Sequence, residues 1–530
     1  MQCVLVTDPI DEVCPGMLRD AGIEVRFPDS AAPNGWKEEL GDIDGWIIRS
    51  GTKIDSDLMS RAKNLKVIGR AGVGVDNVDL ESATRRGILV LNAPDGNTIS
   101  TAEHTCAMIL SMARNIPQAD RSVEEGNWDR KSFKGAELYD KTIGVVGLGK
   151  IGKAVAQRMQ SFGMTVIGTD PVVSAAAADK LGIELVSYGD LVERADFITF
   201  HVPLVAETKG MLDAGTLRRC RKGVRIANCA RGGLIDEDAL LEAIKSGHVA
   251  GAALDVYSSE PPVEEMAELL SNPRVVTTPH IAASTGEAQR RVAEQVTVEV
   301  IRALQGEPVR TAVNSMAIRL AANPEVQPYI DLTQRLGSLL SQLVGEAMDS
   351  VVIRYHGEWL SSFREILTVA VLRGLVSRWR SDPVNLINAK IVADEAGLSV
   401  EEQLLPPDQS FKNLMEIVGT VGGRTRSVSG VVFGKSRPRI TRVDDYDFDI
   451  QASGHILFYS NVDRPGMLAA VGRILAEADL NIGSLALGRK EKGTTALTAI
   501  SLDEPLPDAV LRKIAALDGV EQIRAIHIDT

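Results

Sequence analysis

Short apolar runs alternate with polar, helix-compatible stretches in the first part of the chain. From Gln2 to about Leu91, segments such as DSDLMSRAKN separate the apolar runs, which are CVLVTD, GWIIRS, LKVIGRAG and GILVLN. This alternation is typical of buried parallel strands joined by crossover helices. The pattern therefore predicts one α/β unit.

A second series of the same kind begins at Lys141 and ends near Pro279. Its predicted strands are KTIGVVGLG, MTVIGTD, DFITFHV, VRIANCA, GAALDVY and RVVTTPH. Such near-continuous apolar runs indicate strands that are buried on both faces of a parallel sheet. A helix from about Ser284 to Gln305 follows, and the Gly- and Pro-containing segment GEPVRTAVN is predicted to lead out of this body.

The pattern changes after Asn314. Leucines at helical spacing predict an amphipathic helix over residues 331–343, within an α+β unit that extends to about residue 450. From Gly454 onward the predicted order is β-α-β-β-α-β, the ferredoxin-like arrangement. Because hydrophobic cores stop growing near roughly 250–300 residues, a chain of 530 residues is expected to contain several domains.

Charge and composition argue against a nucleic-acid partner, a membrane partner and a metal site. The net charge of −13 disfavours a nucleic-acid partner. The sequence contains neither an export signal nor an apolar run of about 18 residues, so no membrane partner is predicted. The five cysteines are odd in number and lack CxxC spacing, which favours reduced thiols in the cytoplasm and no metal site.

A glycine-rich motif, GLGKIG, lies between the predicted strand TIGVV and a helix-compatible segment. In a GxGxxG motif, Gly147 makes a tight turn, Gly149 lets the backbone approach a pyrophosphate, and Gly152 lets the helix pack on the strand. The predicted cofactor-binding residues here are Gly147, Gly149, Lys150, Ile151 and Gly152. They indicate a dinucleotide site.

Asp170 ends the next predicted strand, MTVIGTD. Its distance from the motif is close to the spacing of about 20 residues expected of a carboxylate that binds ribose hydroxyls. A 2′-phosphate would be repelled by this carboxylate, and Pro171, Val172 and Val173 follow it in place of an arginine. NAD is therefore favoured over NADP.

Polar residues end three later strands, at the sheet edge where doubly wound folds bind ligands. Oxidation of an alcohol needs a base, and His280 is the candidate. Glu260 is the candidate for a carboxylate that binds the other ring nitrogen of His280. Arg231 is the candidate for a guanidinium that binds the substrate carboxylate through two parallel hydrogen bonds. His201 is the rival base, although HVPL is better explained as a wall of the nicotinamide pocket.

The first 310 residues resemble the D-2-hydroxy acid dehydrogenase family. The matching motifs are VVGLGKIG, HVPLVAETKGML, NCARGGLIDEDALLEAI, GAALDVYSSEPP and TPHIAAST. The resemblance implies a cofactor domain inserted within a substrate domain, with Arg231, Glu260 and His280 as the catalytic trio. It also implies cofactor contacts at Val73, Val202, Pro203, Cys229, Ala230, Arg231, Asp255, His280 and Ala283.

Other segments resemble the family members that act on 3-phosphoglycerate. These are RAGVGVDNVDL, NTISTAEHT and WDRKSFKGAEL. Cationic side chains and turn amides near them are suited to a phosphate. The predicted substrate residues are Arg49, Ser50, Lys53, Arg70, Gly72 and Arg231. The segment with Trp128, Arg130 and Lys134 resembles one that reaches a neighbouring subunit, so a homodimer or homotetramer is expected.

The last 77 residues resemble an ACT domain, which in long enzymes of this kind pairs across subunits and binds L-serine. Asp463 is suited to the amino group of such an effector and Asn481 to a hydrogen bond with the same ligand. The segment before it resembles the extra domain of the long enzymes. Its basic cluster, Lys435, Arg437, Arg439 and Arg442, is better explained as a charged strand edge, with an anion site as the alternative.

These observations predict an α/β protein with two Rossmann-like doubly wound parallel-sheet units, an α+β intervening domain and a ferredoxin-like ACT domain. The predicted substrate-binding domain comprises residues 1–94 and 283–312, and the predicted NAD-binding domain comprises residues 95–282. The intervening domain is predicted over residues 315–450 and the ACT domain over residues 454–530. The leading hypothesis is an NAD-dependent dehydrogenase of 3-phosphoglycerate with L-serine as effector. The alternatives are a dehydrogenase of glyoxylate, hydroxypyruvate or 2-hydroxyglutarate, and a corepressor-like NAD-sensing interaction protein.

Overall fold

The computed structural model describes residues 1–28, 35–38, 40–378, 383–491 and 493–529. Its first sheet contains β1 (Cys3–Val6), β2 (Glu24–Arg26), β3 (Gly45–Ile48), β4 (Val67–Arg70) and β5 (Leu89–Leu91). All neighbours are parallel, in the order β2-β1-β3-β4-β5. The short β2 was missed from the sequence because it is not fully buried and has no apolar run.

The second sheet is also parallel, in the order β12-β11-β10-β9-β6-β7-β8. Its strands are β6 (Thr142–Val146), β7 (Thr165–Thr169), β8 (Glu184–Leu185), β9 (Phe197–Phe200), β10 (Val224–Asn228), β11 (Val249–Leu254) and β12 (Val275–Thr277). The strand order reverses next to β6, as in doubly wound folds. The two-residue β8 was not predicted.

Helices cover both parallel sheets. In the first 304 residues they are α1 (Val13–Asp20), α2 (Ser56–Arg61), α3 (Leu80–Arg85), α4 (Thr98–Arg114), α5 (Ile116–Glu124), α6 (Lys150–Ser161), α7 (Ala175–Asp179), α8 (Tyr188–Arg194), α9 (Ala214–Arg219), α10 (Glu237–Lys245), α11 (Ala267–Leu270) and α12 (Gly286–Leu304). Helix α12 leaves the second sheet and packs against α1, β4 and β5. Its residues Val292, Val296 and Val300 are buried in the core of the first sheet.

The third sheet is mixed, in the order β14-β13-β15-β16-β17-β18, and only β13 and β14 are parallel. Its strands are β13 (Ser350–His356), β14 (Ser399–Leu405), β15 (Leu414–Val421), β16 (Arg424–Phe433), β17 (Arg437–Val443) and β18 (Tyr446–Gln451). The helices of this part are α13 (Met316–Ala321), α14 (Gln327–Val344), α15 (Glu358–Ser361), α16 (Arg364–Val376) and α17 (Ala389–Glu395). The predicted amphipathic helix is α14, whose leucines lie in the core.

The basic cluster does not lie on a strand edge. Strand β17, which carries three of its arginines, is paired on both sides. Arg439 Nε and Arg442 Nε each lie 2.6 Å from a carboxylate on β18, those of Asp449 and Asp447. The prediction of an edge was wrong because the acidic β18 covers it, and its acidic and polar residues gave no strand signal.

The final part of the chain has the predicted β-α-β-β-α-β order. Its elements are β19 (Gly454–Val462), α18 (Met467–Glu477), β20 (Ile482–Arg489), β21 (Thr495–Leu502), α19 (Asp508–Ala515) and β22 (Val520–Ile528). The antiparallel sheet has the order β20-β21-β19-β22, which confirms the ferredoxin-like prediction. In the described residues, no helix combines the length and the apolar character that crossing a bilayer requires.

Candidate active site and cofactor crevice

Three neighbouring strands of the second sheet bring the predicted catalytic residues to one edge. Strands β10, β11 and β12 are parallel and adjacent, so their carboxyl ends meet. Arg231 lies just after β10, Glu260 in the loop after β11, and His280 just after β12. The structure therefore gathers this trio at the edge that the sequence indicated.

His280 and Glu260 form a close pair. The Nδ1 atom of His280 lies 2.6 Å from Oε2 of Glu260. Because an ionised carboxylate only accepts hydrogen bonds, Nδ1 is the donor and Nε2 is left for a ligand. The imidazole is half exposed, with a side-chain exposure of 52%. The geometry is that of a general base held by a carboxylate.

The backbone at His280 is strained, with φ at +53°. A left-handed conformation in a residue other than glycine costs on the order of 1–3 kcal/mol and persists when the surrounding contacts enforce it. Asp255 supplies those contacts, since its carboxylate accepts hydrogen bonds from the backbone N–H groups of Ile281 at 2.9 Å and Ala282 at 3.0 Å. The loop that presents His280 is therefore anchored from the end of β11.

Asp255 is fully buried. Burial acts to raise the pKa of Asp255, but hydrogen bonds from His104, Thr278 and the two backbone N–H groups outweigh it and lower the pKa. The carboxylate is therefore ionised and already has donors on both oxygens. The structure places it behind the loop rather than on the open surface of the crevice, which the sequence did not reveal.

The turn after β10 is built by the buried side chain of Asn228. Its Nδ2 donates to Arg231 O at 2.8 Å and its Oδ1 accepts from Ala230 N at 3.1 Å. A Cβ atom on Gly232 would lie 1.7 Å from Tyr257 O, so only glycine lets this turn pack against the loop that carries Glu260. The two loops are thus fitted to each other.

Arg231 reaches across to the first sheet. Its Nε lies 3.3 Å from Asp76 Oδ2, and a Cβ on Gly74 would collide with its Nη2 at 2.1 Å. Asp76 is largely exposed, at 77%. This surface ion pair contributes little stability, so an anionic ligand can compete for the guanidinium.

Three arginines converge in the crevice between the two sheets. The pKa of Arg70 is lowered to about 10, chiefly by burial, and the positive charges of Arg231 and Arg49 act in the same direction. The Nε atom of Arg70 is buried without a partner in the described structure. A Cβ on Gly72 would overlap the Arg70 guanidinium at 1.4 Å. The lack of a side chain at Gly72 therefore leaves room for the Arg70 guanidinium. The three positive charges together favour the binding of an anion.

The loop that carries Arg49 is held by Asp8. One carboxylate oxygen of Asp8 accepts from Arg49 N at 2.5 Å and from Thr52 N at 3.1 Å. The predicted substrate residues Ser50 and Lys53 lie exposed on this loop. Within the described ranges, neither makes a hydrogen bond or ion pair that joins it to the arginines.

The glycine motif forms the turn between β6 and α6. Gly147 has φ at +94°, and a Cβ there would lie 2.5 Å from His201 O. A Cβ on Gly152 would lie 2.0 Å from Gly147 O, whereas Gly149 has no neighbouring atom within 4 Å of such a position. The first and third glycines are thus required by packing, and the second faces open space at the α6 N-terminus, where a pyrophosphate fits.

Asp170 closes the same turn from the end of β7. Its carboxylate accepts from Leu148 N at 2.8 Å, Val172 N at 2.8 Å and Val173 N at 3.1 Å. Burial acts to raise the pKa of Asp170, but these backbone hydrogen bonds prevail and lower it. The group is therefore a charged acceptor beside the glycine turn, as the ribose-binding prediction requires.

The remaining predicted cofactor residues differ in their exposure. Lys150 forms an ion pair with Asp95, in the segment between the two sheets. Cys229 is buried, Pro203 is exposed, and the half-buried residues are Val73, Ile151, Val202, Ala230 and Ala283.

His201 does not suit the role of base. Burial lowers the pKa of His201 to about 4, so the ring is neutral near pH 7. Its Nε2 lies 3.1 Å from Thr199 Oγ1, and its Nδ1 is buried without a partner. A neutral, partly buried ring behind the glycine turn fits a wall of the crevice.

The predicted effector residues lie at opposite ends of the last sheet. Asp463 follows β19 and hydrogen-bonds to Thr494, while Asn481 precedes β20 and hydrogen-bonds to Asp503. The intervening β21 contains eight residues, which span about 26 Å at ~3.3 Å per residue. Within one chain, the two side chains therefore cannot contact the same small ligand.

Several residues that organise the site were missed from the sequence. They are Asp8, His104 and Asn228. Asn228 is visible in the motif NCARGG, and His104 in NTISTAEHT. Their partners are far away in the chain, so only the fold reveals what they hold.

Three family models match the chain. The D-isomer specific 2-hydroxyacid dehydrogenase NAD-binding domain matches residues 106–282, the D-3-phosphoglycerate dehydrogenase intervening domain residues 325–444, and the ACT domain residues 455–519. A D-3-phosphoglycerate dehydrogenase from Bacillus subtilis (strain 168) is 42% identical over 492 residues, which are 93% of each chain. Another from Archaeoglobus fulgidus is 40% identical over 98% of each chain.

This chain belongs to the D-3-phosphoglycerate dehydrogenase family. The resemblance to D-2-hydroxy acid dehydrogenases and to the long enzymes is thereby confirmed, as is the predicted fold class. A solved D-lactate dehydrogenase from Aquifex aeolicus, complexed with NAD and lactic acid, is 28% identical with a TM-score of 0.52 and covers 58% of this chain and 96% of its own. Its likeness is confined to part of the chain, whereas members of the D-3-phosphoglycerate dehydrogenase family match nearly the whole length.

Proposed function

We propose that this protein oxidises 3-phospho-D-glycerate to 3-phosphohydroxypyruvate with NAD, the first step of L-serine biosynthesis. The observation that carries the proposal is the 2.6 Å contact between His280 and Glu260, at a strand edge shared with Arg231. Family membership over nearly the whole chain supports this substrate over the other 2-hydroxy acids and over a corepressor-like role.

His280 serves as the base in this proposal. Its free Nε2 takes the proton of the substrate hydroxyl, and Glu260 stabilises the imidazolium that results. Arg231 exchanges its weak pairing with Asp76 for the substrate carboxylate, which it binds through two parallel N–H groups. Each step uses a group already present at the crevice.

The phosphate is assigned to the first sheet. Arg70 and Arg49 carry the positive charge there, and the unpartnered Nε of Arg70 supplies a buried donor. Ser50, Gly72 and Lys53 complete the predicted set from the surrounding loops. Unphosphorylated hydroxy acids would leave this charge uncompensated, so they are expected to be poorer substrates.

NAD is the proposed cofactor, and the residues of the glycine turn fit it. The α6 N-terminus and Gly149 would hold the pyrophosphate, and Asp170 would bind the ribose hydroxyls. NAD, when bound, accepts the hydride that the substrate carbon loses. The exposed Pro203 and half-buried Val202 would border the nicotinamide, with Asp255 supporting that side from behind the loop.

A panel of ketoacids tests the proposal. Purified protein is assayed for NADH-dependent reduction of 3-phosphohydroxypyruvate, hydroxypyruvate, glyoxylate and 2-oxoglutarate, each with and without L-serine. Strong preference for the phosphorylated ketone is expected. Equal turnover of an unphosphorylated ketoacid would contradict the phosphate assignment, and no turnover of any of them would favour the NAD-sensing alternative.

Exchange of Asp170 for asparagine tests the cofactor assignment. The amide keeps acceptor capacity but removes the charge that repels a 2′-phosphate, so the preference of kcat/KM for NAD over NADP is expected to fall by about tenfold or more. Both cofactors are titrated with the parent, Asp170→Asn and the control Asp179→Ala, an exposed carboxylate on α7. An unchanged preference in Asp170→Asn would place the ribose elsewhere.

We also infer a cytoplasmic homodimer or homotetramer. The five cysteines are buried and unpaired, as expected in a reducing compartment. Trp128 is 81% exposed and Tyr139 is 72% exposed, an amount of aromatic surface that favours a partner subunit. The residues Arg130 and Lys134 belong to the same segment.

L-serine is the proposed effector, bound between the ACT domains of two subunits. Asp463 of one chain and Asn481 of the other would then share a ligand that neither chain can hold alone. Asp463 is presently held by Gly493 N at 3.1 Å and by Arg489 at 3.4 Å, so the amino group of serine would compete with Arg489.

Removal of the Asp463 carboxylate is expected to weaken inhibition. In Asp463→Ala, the serine concentration that halves the variant's own uninhibited rate should rise by about tenfold or more, because one charge-assisted hydrogen bond is lost. Inhibition curves are compared with Asp508→Ala, an exposed acid at the start of α19. Equal sensitivity of Asp463→Ala and the parent would contradict the assignment.

A further inference from the structure

His104 lies beside the catalytic loop, although no step of the proposed reaction uses it. It is on α4, which packs against β10, β11 and β12. Its Nε2 lies 3.2 Å from Thr278 Oγ1 and 3.3 Å from Asp255 Oδ1, and the side chain is 18% exposed. The ring therefore contacts two groups at the base of the loop that presents His280.

The protons available on Thr278 and Asp255 determine which atom is the donor in these contacts. Thr278 has one hydroxyl proton, and its 2.6 Å contact with Asp255 Oδ1 uses it. An ionised carboxylate has no proton to give. Nε2 of His104 must therefore carry the hydrogen that points at Thr278 and Asp255.

Asp255 transmits this contact to the backbone. Its oxygens hold the N–H groups of Ile281 and Ala282, the two residues that follow the left-handed His280. Among the described residues, His104 is the one basic side chain that the structure brings within ion-pair distance of Asp255. A buried carboxylate that loses a hydrogen-bond donor is destabilised, so removal of His104 would let Asp255 rotate or take up a proton.

We propose that His104 is a positioning residue for the reaction. It orients the buried Asp255 carboxylate, which fixes the backbone after His280 and so the reach of the His280 ring toward the substrate hydroxyl. This role rests on the proposed function, in which His280 is the base.

Three single variants of the full-length protein separate this role from simple packing. His104→Leu removes the donor, His104→Gln places an amide N–H near the Nε2 position, and His104→Asn places it nearer Nδ1. His104→Leu is expected to lower kcat by about tenfold, the effect of one hydrogen bond to a charged group. KM for NAD and for 3-phosphoglycerate should stay within about threefold, because other side chains bind both. Glutamine should restore kcat to within about threefold, and asparagine should not.

A double-mutant cycle with Asp255→Asn tests the route. If His104 acts through the Asp255 charge, its removal should matter little once that charge is gone. The kcat of the double variant His104→Leu/Asp255→Asn should then lie within about twofold of the kcat of Asp255→Asn alone. Glu103→Gln is the matched control, since Glu103 is the exposed neighbour on α4 and pairs with Arg158 at 3.6 Å. Its kcat should equal that of the parent.

Three outcomes would overturn the positioning role. They are a kcat of His104→Leu within twofold of the parent, equal effects of glutamine and asparagine, and a loss that multiplies independently with that of Asp255→Asn. If His104→Leu does not fold, the glutamine and asparagine pair decides. An inactive parent would overturn the proposed function instead, so the two failures are distinct.

Discussion

Replacement of His280 with asparagine should lower kcat for 3-phosphoglycerate oxidation by about a hundredfold to ten-thousandfold, the usual contribution of a positioned general base. Asparagine keeps a polar side chain of similar size but cannot take a proton. The Glu260 carboxylate, 2.6 Å from Nδ1 in the parent, would then have no imidazolium to stabilise. Steady-state rates with saturating NAD measure the loss, and KM for NAD should change little.

A second histidine–glutamate pair in the chain provides a matched control. His356 Nε2 lies 3.3 Å from Glu416 Oε2 in the third sheet, away from the crevice. His356→Asn should keep kcat within about twofold of the parent, since no reacting group is altered. A His280→Asn variant that retains more than one tenth of kcat would exclude His280 as the base, and the His201→Asn variant would then be the next to measure.

Replacement of Arg231 with lysine should lower kcat/KM for 3-phosphoglycerate by about tenfold to a hundredfold. Lysine preserves the charge but not the planar fork that binds a carboxylate through two parallel hydrogen bonds, each worth roughly 1.5–3 kcal/mol when charged. The loss should appear mainly in KM for the substrate if the contact is equally strong in the ground state, and in kcat if it strengthens in the transition state.

The control for this variant is Arg221→Lys. Arg221 is half exposed and pairs with Asp196 at 3.0 Å, so the same exchange there alters only a surface ion pair and should leave kcat/KM unchanged. If Arg231→Lys also stays within about threefold of the parent, the pairing of Arg231 with Asp76 has a structural role alone and the substrate carboxylate binds elsewhere.

Secondary structure was predictable because its signals are local. The apolar runs that predicted β1, β6 and β9 are buried along their whole length, apart from the half-buried first residue of β6, and burial of contiguous apolar residues is what a parallel sheet requires. Strands without such runs escaped prediction, as β2 and β18 show. Their hydrogen-bonding partners, and not their own side chains, make them strands.

The meeting of the three proposed catalytic residues at one sheet edge was predictable for a related reason. Parallel strands of one sheet present their carboxyl ends at a single edge, so polar residues that follow successive strands meet there whatever their separation in sequence. The contact between His280 and Glu260 follows from this rule. This rule does not predict how deeply each side chain is buried. Asp255 was expected beside the cofactor, but it lies fully buried behind the loop that carries His280.

The sequence by itself determined the strands that carry apolar runs in the two parallel sheets, the order of the elements in the final part of the chain, the glycine turn with its acidic partner Asp170, and which residues end the strands of the second sheet. Only the tertiary structure decided that Asp463 and Asn481 lie at opposite ends of β21, that Gly72 leaves room for the Arg70 guanidinium, and that His104 supports Asp255. The first set depends on periodicity and on neighbours a few residues away. The second depends on strand order and on packing between distant segments, which no local pattern encodes.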